Sequence, residues 1–342
     1  MSGPPLFSLC CLPSRFMSTP PASVSGRTTA SSSASPSASS ASPANAPAVA
    51  AAQAANTPVW KDILELTKPE ISFLVTVSAL AGFLLGTPAG WSALAVWTLV
   101  WTLLGTVLCA GGVGVLNHLA EIDFDAQMKR TAARPLPAGR MAPDTAQALG
   151  YGLVAAGIGI LCPLANPLTA VLAIATAVLY LKVYTPLKRK TKWNTIIGTV
   201  PGALPALGGY TAATGRIDAV GLSIFLILAL WQMPHFLSLA WMYRKDYARG
   251  NYAMLPVVEP DGASTARQTV GCCVALLVAS VLPTVLGAAG WIYALGIVPL
   301  GLWFLWTSVL FANERTGQTA RRVLKASIVY VPVLVLLLGV DW

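Results

Sequence analysis

Residues 92–125 read SALAVWTLVWTLLGTVLCAGGVGVLNHLAEIDFD, and from 92 to 120 the stretch holds no Asp, Glu, Lys or Arg. An α-helix rises about 1.5 Å per residue, so about twenty such residues cross a hydrocarbon layer about 30 Å thick. The run is therefore a membrane span. At its end come Asn117, Glu121 and Asp125, polar groups at a spacing of four. On a helix they share one face, with about 6 Å of rise between steps.

Working outward, the pattern recurs. Apolar runs fall at 71–87, 92–118, 145–163, 166–183, 194–213, 219–241, 268–288, 291–311 and 323–340. Turn residues separate them at Thr87-Pro88-Ala89-Gly90, Asn166-Pro167, Thr214-Gly215 and Ala289-Gly290. Over the chain 55 % of residues are hydrophobic and 10 % charged, against about 25 % charged in soluble domains. The mean hydropathy is +0.67. The sequence predicts an all-α membrane protein, one nine-transmembrane-helix bundle over 58–342. A short amphipathic helix at 60–69 precedes it, with Lys61, Asp62, Glu65 and Lys68 on the polar side.

Residues 1–57 are rich in Ala, Ser and Pro and lack Asp and Glu. The part at 28–55 has almost nothing with which to build a core, so the tail is expected to be disordered. With Arg15 and Arg27 it fits a mitochondrial transit peptide, a disordered bacterial leader, or a start at Met17. Cys10 and Cys11 lie in the tail, and Cys109, Cys162, Cys272 and Cys273 in apolar runs. No pair has metal-site or disulfide-framework spacing, which leaves the membrane cysteines as packing residues.

The net charge of +9 is distributed as in a membrane protein, not a nucleic-acid binder. Loops after spans 2, 4, 6 and 8 hold Lys129, Arg130, Arg134 and Arg140; Lys188, Arg189, Lys190 and Lys192; Arg244, Lys245 and Arg249; and Arg315, Arg321 and Arg322. The alternate loops hold only Arg216, beside Asp218. By the positive-inside rule the basic loops and the N-terminus lie inside and the C-terminus outside.

Three segments on that inner side carry chemistry. Asn117, Glu121 and Asp125 are hard oxygen ligands suited to Mg²⁺, with Asp123 pointing elsewhere; a solvated helix end is the plainer alternative. Lys129, Arg130 and Arg134 follow, and guanidinium groups suit a metal-bound diphosphate. The second segment, Tyr184-Thr185-Pro186-Leu187-Lys188-Arg189-Lys190-Thr191, offers hydroxyls and three cations to the same anion. A basic inner loop would serve topology alone equally well. The third runs Trp231-Gln232-Met233-Pro234-His235-Phe236, then Tyr243-Arg244-Lys245-Asp246-Tyr247. Gln232 and His235 are costly in lipid unless they face a cavity or a partner. On an unbroken helix His235 and Asp246 share a face roughly 16 Å apart. Asp246 then belongs with the diphosphate at the surface, and His235 with an apolar substrate deeper in.

The string N-x3-E-x3-D-x2-M-x-R-T-x2-R-P-L-P at 117–137 resembles the first signature of the protohaem IX farnesyltransferases (haem O synthases), a branch of the UbiA-type intramembrane prenyltransferases. Y-T-P-L-K-R-K-T-x2-N (184–194), P-G-A-L-P-A-L-G-G-Y (201–210), W-Q-M-P-H-F (231–236) and Y-R-K-D-Y-x2-G-x3-M-L-P (243–256) resemble that branch's later signatures, in order. The likeness spans nearly the whole membrane domain and stops short of the tail.

The resemblance implies a nine-helix bundle with a central cavity and an inward-facing active site. The implied reaction joins farnesyl diphosphate, with addition of water, to the vinyl group of haem b, giving haem O and pyrophosphate. Mg²⁺ would sit on Asn117, Glu121 and Asp125, with Asp246 a further candidate ligand. The wider family's pattern has Asp where this chain has Glu121, and His235 stands near the first Asp of its second motif. Arg130, Arg134, Tyr184, Lys188, Arg189, Arg244 and Lys245 are the diphosphate-binding candidates. Tyr184, Tyr243 and the Trp residues of span 6 are candidates to face the allylic cation. Haem b is then a substrate, the bilayer the surroundings, and haem A synthase the consumer of the product. The location implied is the bacterial inner membrane, the mitochondrial inner membrane being the alternative. A prenyltransferase for quinone or chlorophyll precursors is the nearest rival, and 231–236 speaks against it. A secondary transporter would also carry broken helices and intramembrane polar residues, but needs no acidic and basic clusters in three loops on one side.

Overall fold

The computed structural model describes residues 58–87 and 91–341. The tail at 1–57, residues 88–90 of the first turn, and Trp342 lie outside the described residues. From Val59 on the described chain belongs to one compact unit, with no strand among the described residues.

Nine long helices run through it: α1 (Pro69–Gly86), α2 (Ala93–Ala120), α3 (Pro143–Leu164), α4 (Pro167–Val178), α5 (Asn194–Thr214), α6 (Ala219–Met242), α7 (Ala263–Ala279), α8 (Trp291–Glu314) and α9 (Gly317–Val340). A π-helical turn, Leu179–Tyr184, carries α4 on into Thr185–Leu187. Among the described residues eight helices, with α4 counted to Leu187 and α7 to Val285, are long and apolar enough to cross a membrane. α5 matches them in length at 21 residues but carries Asn194, Thr195, Thr199, Pro201 and Pro205, most of them buried. It lies among other helices, where protein rather than lipid meets its polar groups. α7 and α9 begin about one and a half turns before the predicted spans, because polar first turns (Ala263-Ser264-Thr265 and Gly317-Gln318-Thr319) are helical too.

The ends follow local chemistry. Ser92, Asn166 and Asp218 cap α2, α4 and α6 by accepting backbone N–H bonds, and Thr316 and Thr319 form a reciprocal capping box on α9. Gly215 closes α5 in the left-handed region.

Packing rests on small residues. α2 lies along α3 and α1 along α5, while α6 touches α5, α7, α9 and α1. A Cβ on Gly82 would sit 1.8 Å from the Ala206 carbonyl oxygen, and one on Gly209 1.8 Å from that of Ala79. Only glycine permits that α1–α5 approach, the close contact by which helices associate in lipid. Trp231, Tyr293, Phe304, Phe311 and Tyr330 fill the core of α6–α9. Outside, Leu94, Val100, Leu295 and Leu336 are exposed, as a lipid-facing surface requires. Trp60 and Trp193 at the basic end and Trp91 and Trp291 at the other form interfacial belts.

Candidate active site

The first signature is built at the end of α2. The helix stops at Ala120; Glu121 (φ −116°, ψ 12°) breaks it, and Ile122–Asp125 forms a separate turn. The unbroken stripe is thus corrected, because the chain bends at Glu121. The sidedness survives: Asn117, Glu121 and Asp125 are buried and Asp123 is exposed.

Each of the three has a partner. Asn117 Oδ1 accepts from Lys68 Nζ, and its Nδ2 donates to Thr185 Oγ1 at 3.2 Å. Lys188 Nζ lies 3.0 Å from Glu121 Oε1, and Arg134 Nη1 2.7 Å from Asp125 Oδ2. Burial alone would raise the Glu121 pKa, but the ammonium groups of Lys188 and Lys68 outweigh it and hold the carboxyl below its ordinary range. Burial opposes charge on Lys188, yet Glu121 holds its ammonium well above the usual value. Lys68, by contrast, is pushed down to about 7 by burial, which Glu121 only partly offsets.

The second segment leaves the π-helical turn, a distortion frequent at functional sites. Lys188 Nζ sits 4.8 Å from the Tyr184 ring centroid and 5.7 Å from that of Tyr180. The Arg189 guanidinium covers the Phe124 ring at 3.9 Å, which ties this segment to the first. Asn194, last residue of the second string, donates to the carbonyls of Thr191 (2.6 Å) and Ala253 (2.8 Å), and Ala253 N–H donates to the Lys188 carbonyl at 2.9 Å. These bonds pin the loop after α6 to the loop after α4.

In the third segment α6 ends at Met242 and a separate helix, Arg244–Arg249, follows. Tyr243 (φ −105°, ψ 18°) breaks the path, so His235 and Asp246 do not share one helix face as predicted. Asp246 faces Arg130 of the first segment at 4.0 Å and Arg249 at 3.5 Å, and Arg130 lies over the Tyr243 ring. Lys245 is exposed; with Arg244 and Asp246 it lines an open cleft. Arg244 covers Trp241 at 4.4 Å. Thus Tyr184 and Tyr243, candidates to face an allylic cation, instead stack against basic side chains.

His235 stands apart from this polar cluster. It is buried within α6, bonded to Ser327 of α9 and stacked on Trp231.

Other residues joined the site unannounced. Lys68, expected on the outer face of the surface helix, turns inward to Asn117; its backbone is left-handed (φ 48°, ψ 65°) just before Pro69, a costly conformation of the kind found at functional sites. Asp62, also expected outside, is buried and held by Arg140 at 3.0 Å. Tyr252 is buried beside Glu121 and favours its charged form. His118 is buried with Nδ1 3.9 Å from Asp125 Oδ2, and neither ring nitrogen has a hydrogen-bond partner. One signal for Lys68 was in the sequence: a cation set against Pro at the edge of an apolar run.

The pattern of the UbiA prenyltransferase family matches residues 75–329. Over 281 residues the chain is 68 % identical to the protoheme IX farnesyltransferase of Salinibacter ruber, covering 82 % of this chain and 98 % of that relative. The chain belongs to the UbiA prenyltransferase family. A protoheme IX farnesyltransferase of Solibacter usitatus is 43 % identical over 287 residues, covering 82 % and 98 %. Two solved structures share the UbiA fold. A digeranylgeranylglyceryl phosphate synthase superposes with a TM-score of 0.67 at 19 % identity, covering 82 % of this chain and 98 % of that one. A UbiA homologue of Archaeoglobus fulgidus, bound to GPP and Mg²⁺, gives 0.57 at 15 %, covering 81 % and 99 %. In this UbiA chain the carboxylates and cations that the signatures supply meet at one end of the bundle.

Proposed function

We propose that the chain transfers the farnesyl group of farnesyl diphosphate, with addition of water, to a vinyl group of haem b, giving haem O and pyrophosphate. The observation that carries this is the meeting of three signatures through Lys188–Glu121 (3.0 Å) and Arg130–Asp246 (4.0 Å). The 68 % identity to a protoheme IX farnesyltransferase supports haem, rather than a quinone precursor, as acceptor.

The donor set fits Mg²⁺: an amide oxygen and two buried carboxylates leave room for the water and phosphate oxygens this ion keeps. Asn117, Glu121 and Asp125 would hold it, with Asp246 a further carboxylate at the same end. Bound there, Mg²⁺ would draw off charge as the diphosphate departs. The chain's own cations act beside it. Lys188 and Arg134 exchange their carboxylates for diphosphate oxygens, and Arg130, Arg189 and Lys245 take the outer ones. The Tyr180 and Tyr184 rings and Phe124 hold Lys188 and Arg189 in place. When the allylic C–O bond breaks, its electron pair stays on the diphosphate, where these cations stabilise it. The apolar bundle keeps water from the farnesyl cation until the vinyl carbon bonds to it. Water then adds to the neighbouring carbon and a proton is released.

This reading puts the basic loops on the cytoplasmic side of a bacterial cell membrane and makes haem A synthase the consumer of the product. Membranes holding the protein, given haem b, farnesyl diphosphate and Mg²⁺, should yield a haem heavier by one farnesyl group and one hydroxyl. Farnesyl diphosphate consumed with no change in haem mass would overturn it.

A further inference from the structure

The Ser327 hydroxyl has one proton and two neighbours. Its Oγ lies 2.6 Å from the Leu324 carbonyl oxygen and 2.8 Å from His235 Nδ1. A carbonyl only accepts. Were the proton given to Nδ1, two bare oxygens would face each other at 2.6 Å. The proton therefore goes to Leu324, and Nδ1 carries the hydrogen that Ser327 accepts. That bond fixes the tautomer: the lone pair of the imidazole is on Nε2.

The ring plane is fixed as well. Trp231 stacks on it at 5.1 Å and 29°, Phe236 meets it edge-on at 5.3 Å, and the Trp231 indole N–H donates to the Ser327 carbonyl at 2.8 Å. Nε2 has no hydrogen-bond partner among the described residues. Nor is it one of the sealed, unpaired polar atoms, which include both ring nitrogens of His118. It is the one uncommitted polar atom of a ring held by Ser327, Trp231 and Phe236. A lone pair in an apolar span calls for a Lewis acid or a hydrogen-bond donor.

Taking the haem-farnesylating reading above as its basis, we propose that His235 Nε2 is an axial ligand to the iron of the haem substrate and that Ser327 is the positioning residue that presents it. Neutral imidazole with its second nitrogen donating to an oxygen is the usual form of a metal-bound histidine. The tautomer excludes the other contact a haem offers. A propionate would need an N–H at Nε2, and a lone pair repels it. The ring also lies two turns inside the end of α6, at the level of a macrocycle, whereas the cations that suit propionates lie at the surface.

The test is titration of the purified full-length protein in detergent with haem b and with iron-free protoporphyrin IX, read by absorbance. Wild type should give a histidine-ligated haem spectrum and bind the iron-free ring at least tenfold more weakly. In His235→Ala that spectrum should disappear and return on adding imidazole. Ser327→Ala should weaken haem binding about 10- to 100-fold, the range for losing a partner of a metal-bound histidine. Ser327→Thr, which keeps the hydroxyl, should restore it, and farnesyl diphosphate affinity should stay unchanged in both Ser327 variants. Equal affinity of wild type for the two porphyrins, or an unchanged spectrum with haem still bound to His235→Ala, overturns the ligation while haem remains the substrate. If wild type consumes farnesyl diphosphate but binds no haem, the proposed function falls with it.

Discussion

Lys188 sets its ammonium 3.0 Å from the Glu121 carboxylate across 67 positions of sequence, and with that contact the first two signatures become one site. Glu121→Gln removes the charge Lys188 faces and an oxygen donor together. Turnover should fall by about 100-fold or more, the scale of losing one group that stabilises developing charge. Asp123→Asn, at an exposed neighbour, should cost at most a few-fold. Equal losses in steady-state assays of the two purified variants would break the assignment of the buried face.

Lys68 is the test of what the sequence hid. Lys68→Met keeps the bulk but deletes the donor to Asn117. The apparent KM for farnesyl diphosphate should rise by about tenfold or more, since a charge-assisted hydrogen bond contributes about 1.5–3 kcal/mol. An unchanged KM would make Lys68 a bystander.

Arg140 is a stability prediction. It grips the buried Asp62 and also reaches Glu65 at 3.3 Å. Arg140→Met leaves the Asp62 carboxylate buried without its cation and should cost about 3–5 kcal/mol. Adding Asp62→Leu should recover much of that. Thermal unfolding in detergent measures both.

Depth should sort the two substrates. Lys188→Met should weaken farnesyl diphosphate binding and leave haem binding intact, because Lys188 lies with Glu121 at the basic end of the bundle. His235→Ala should do the opposite. Equal loss of both ligands in both variants, with the protein folded, would show that depth does not separate them.

Topology can be read with fusions. Reporters near residues 130, 189, 247 and 317 should all appear on the cytoplasmic face, and one at 342 on the other. Arg130 and Arg189 on opposite faces would contradict both the orientation and the shared site.

The helices were legible because each apolar run answers to lipid alone, and lipid asks only for length and hydropathy. α5 shows the limit: its register beside α1 depends on Gly82 and Gly209, whose role appears only when the two backbones meet. The site residues were legible as signatures but their pairings were not. No spacing rule links Glu121 to Lys188 or Arg130 to Asp246. The helix breaks at Glu121 and Tyr243 were missed because neither is Gly or Pro. Ser327 was invisible for a similar reason: one hydroxyl in an apolar run has no meaning until a histidine from another helix lies beside it.

Glu121 and Asp125, buried at the end of α2, each already have a cation against them, so the charge of each carboxylate is already met. A divalent ion arriving alone would have to displace Lys188 and Arg134 from their partners, and a bare diphosphate would strip cations from Glu121 and Asp125. On the proposed function each ligand would supply the charge the other leaves exposed, so the two would enter cooperatively. By linkage the factor is reciprocal: whatever Mg²⁺ adds to diphosphate affinity, diphosphate adds to Mg²⁺ affinity. The lone metal and the lone anion would then be poor competitors for such a site, which would keep it from being held shut by either.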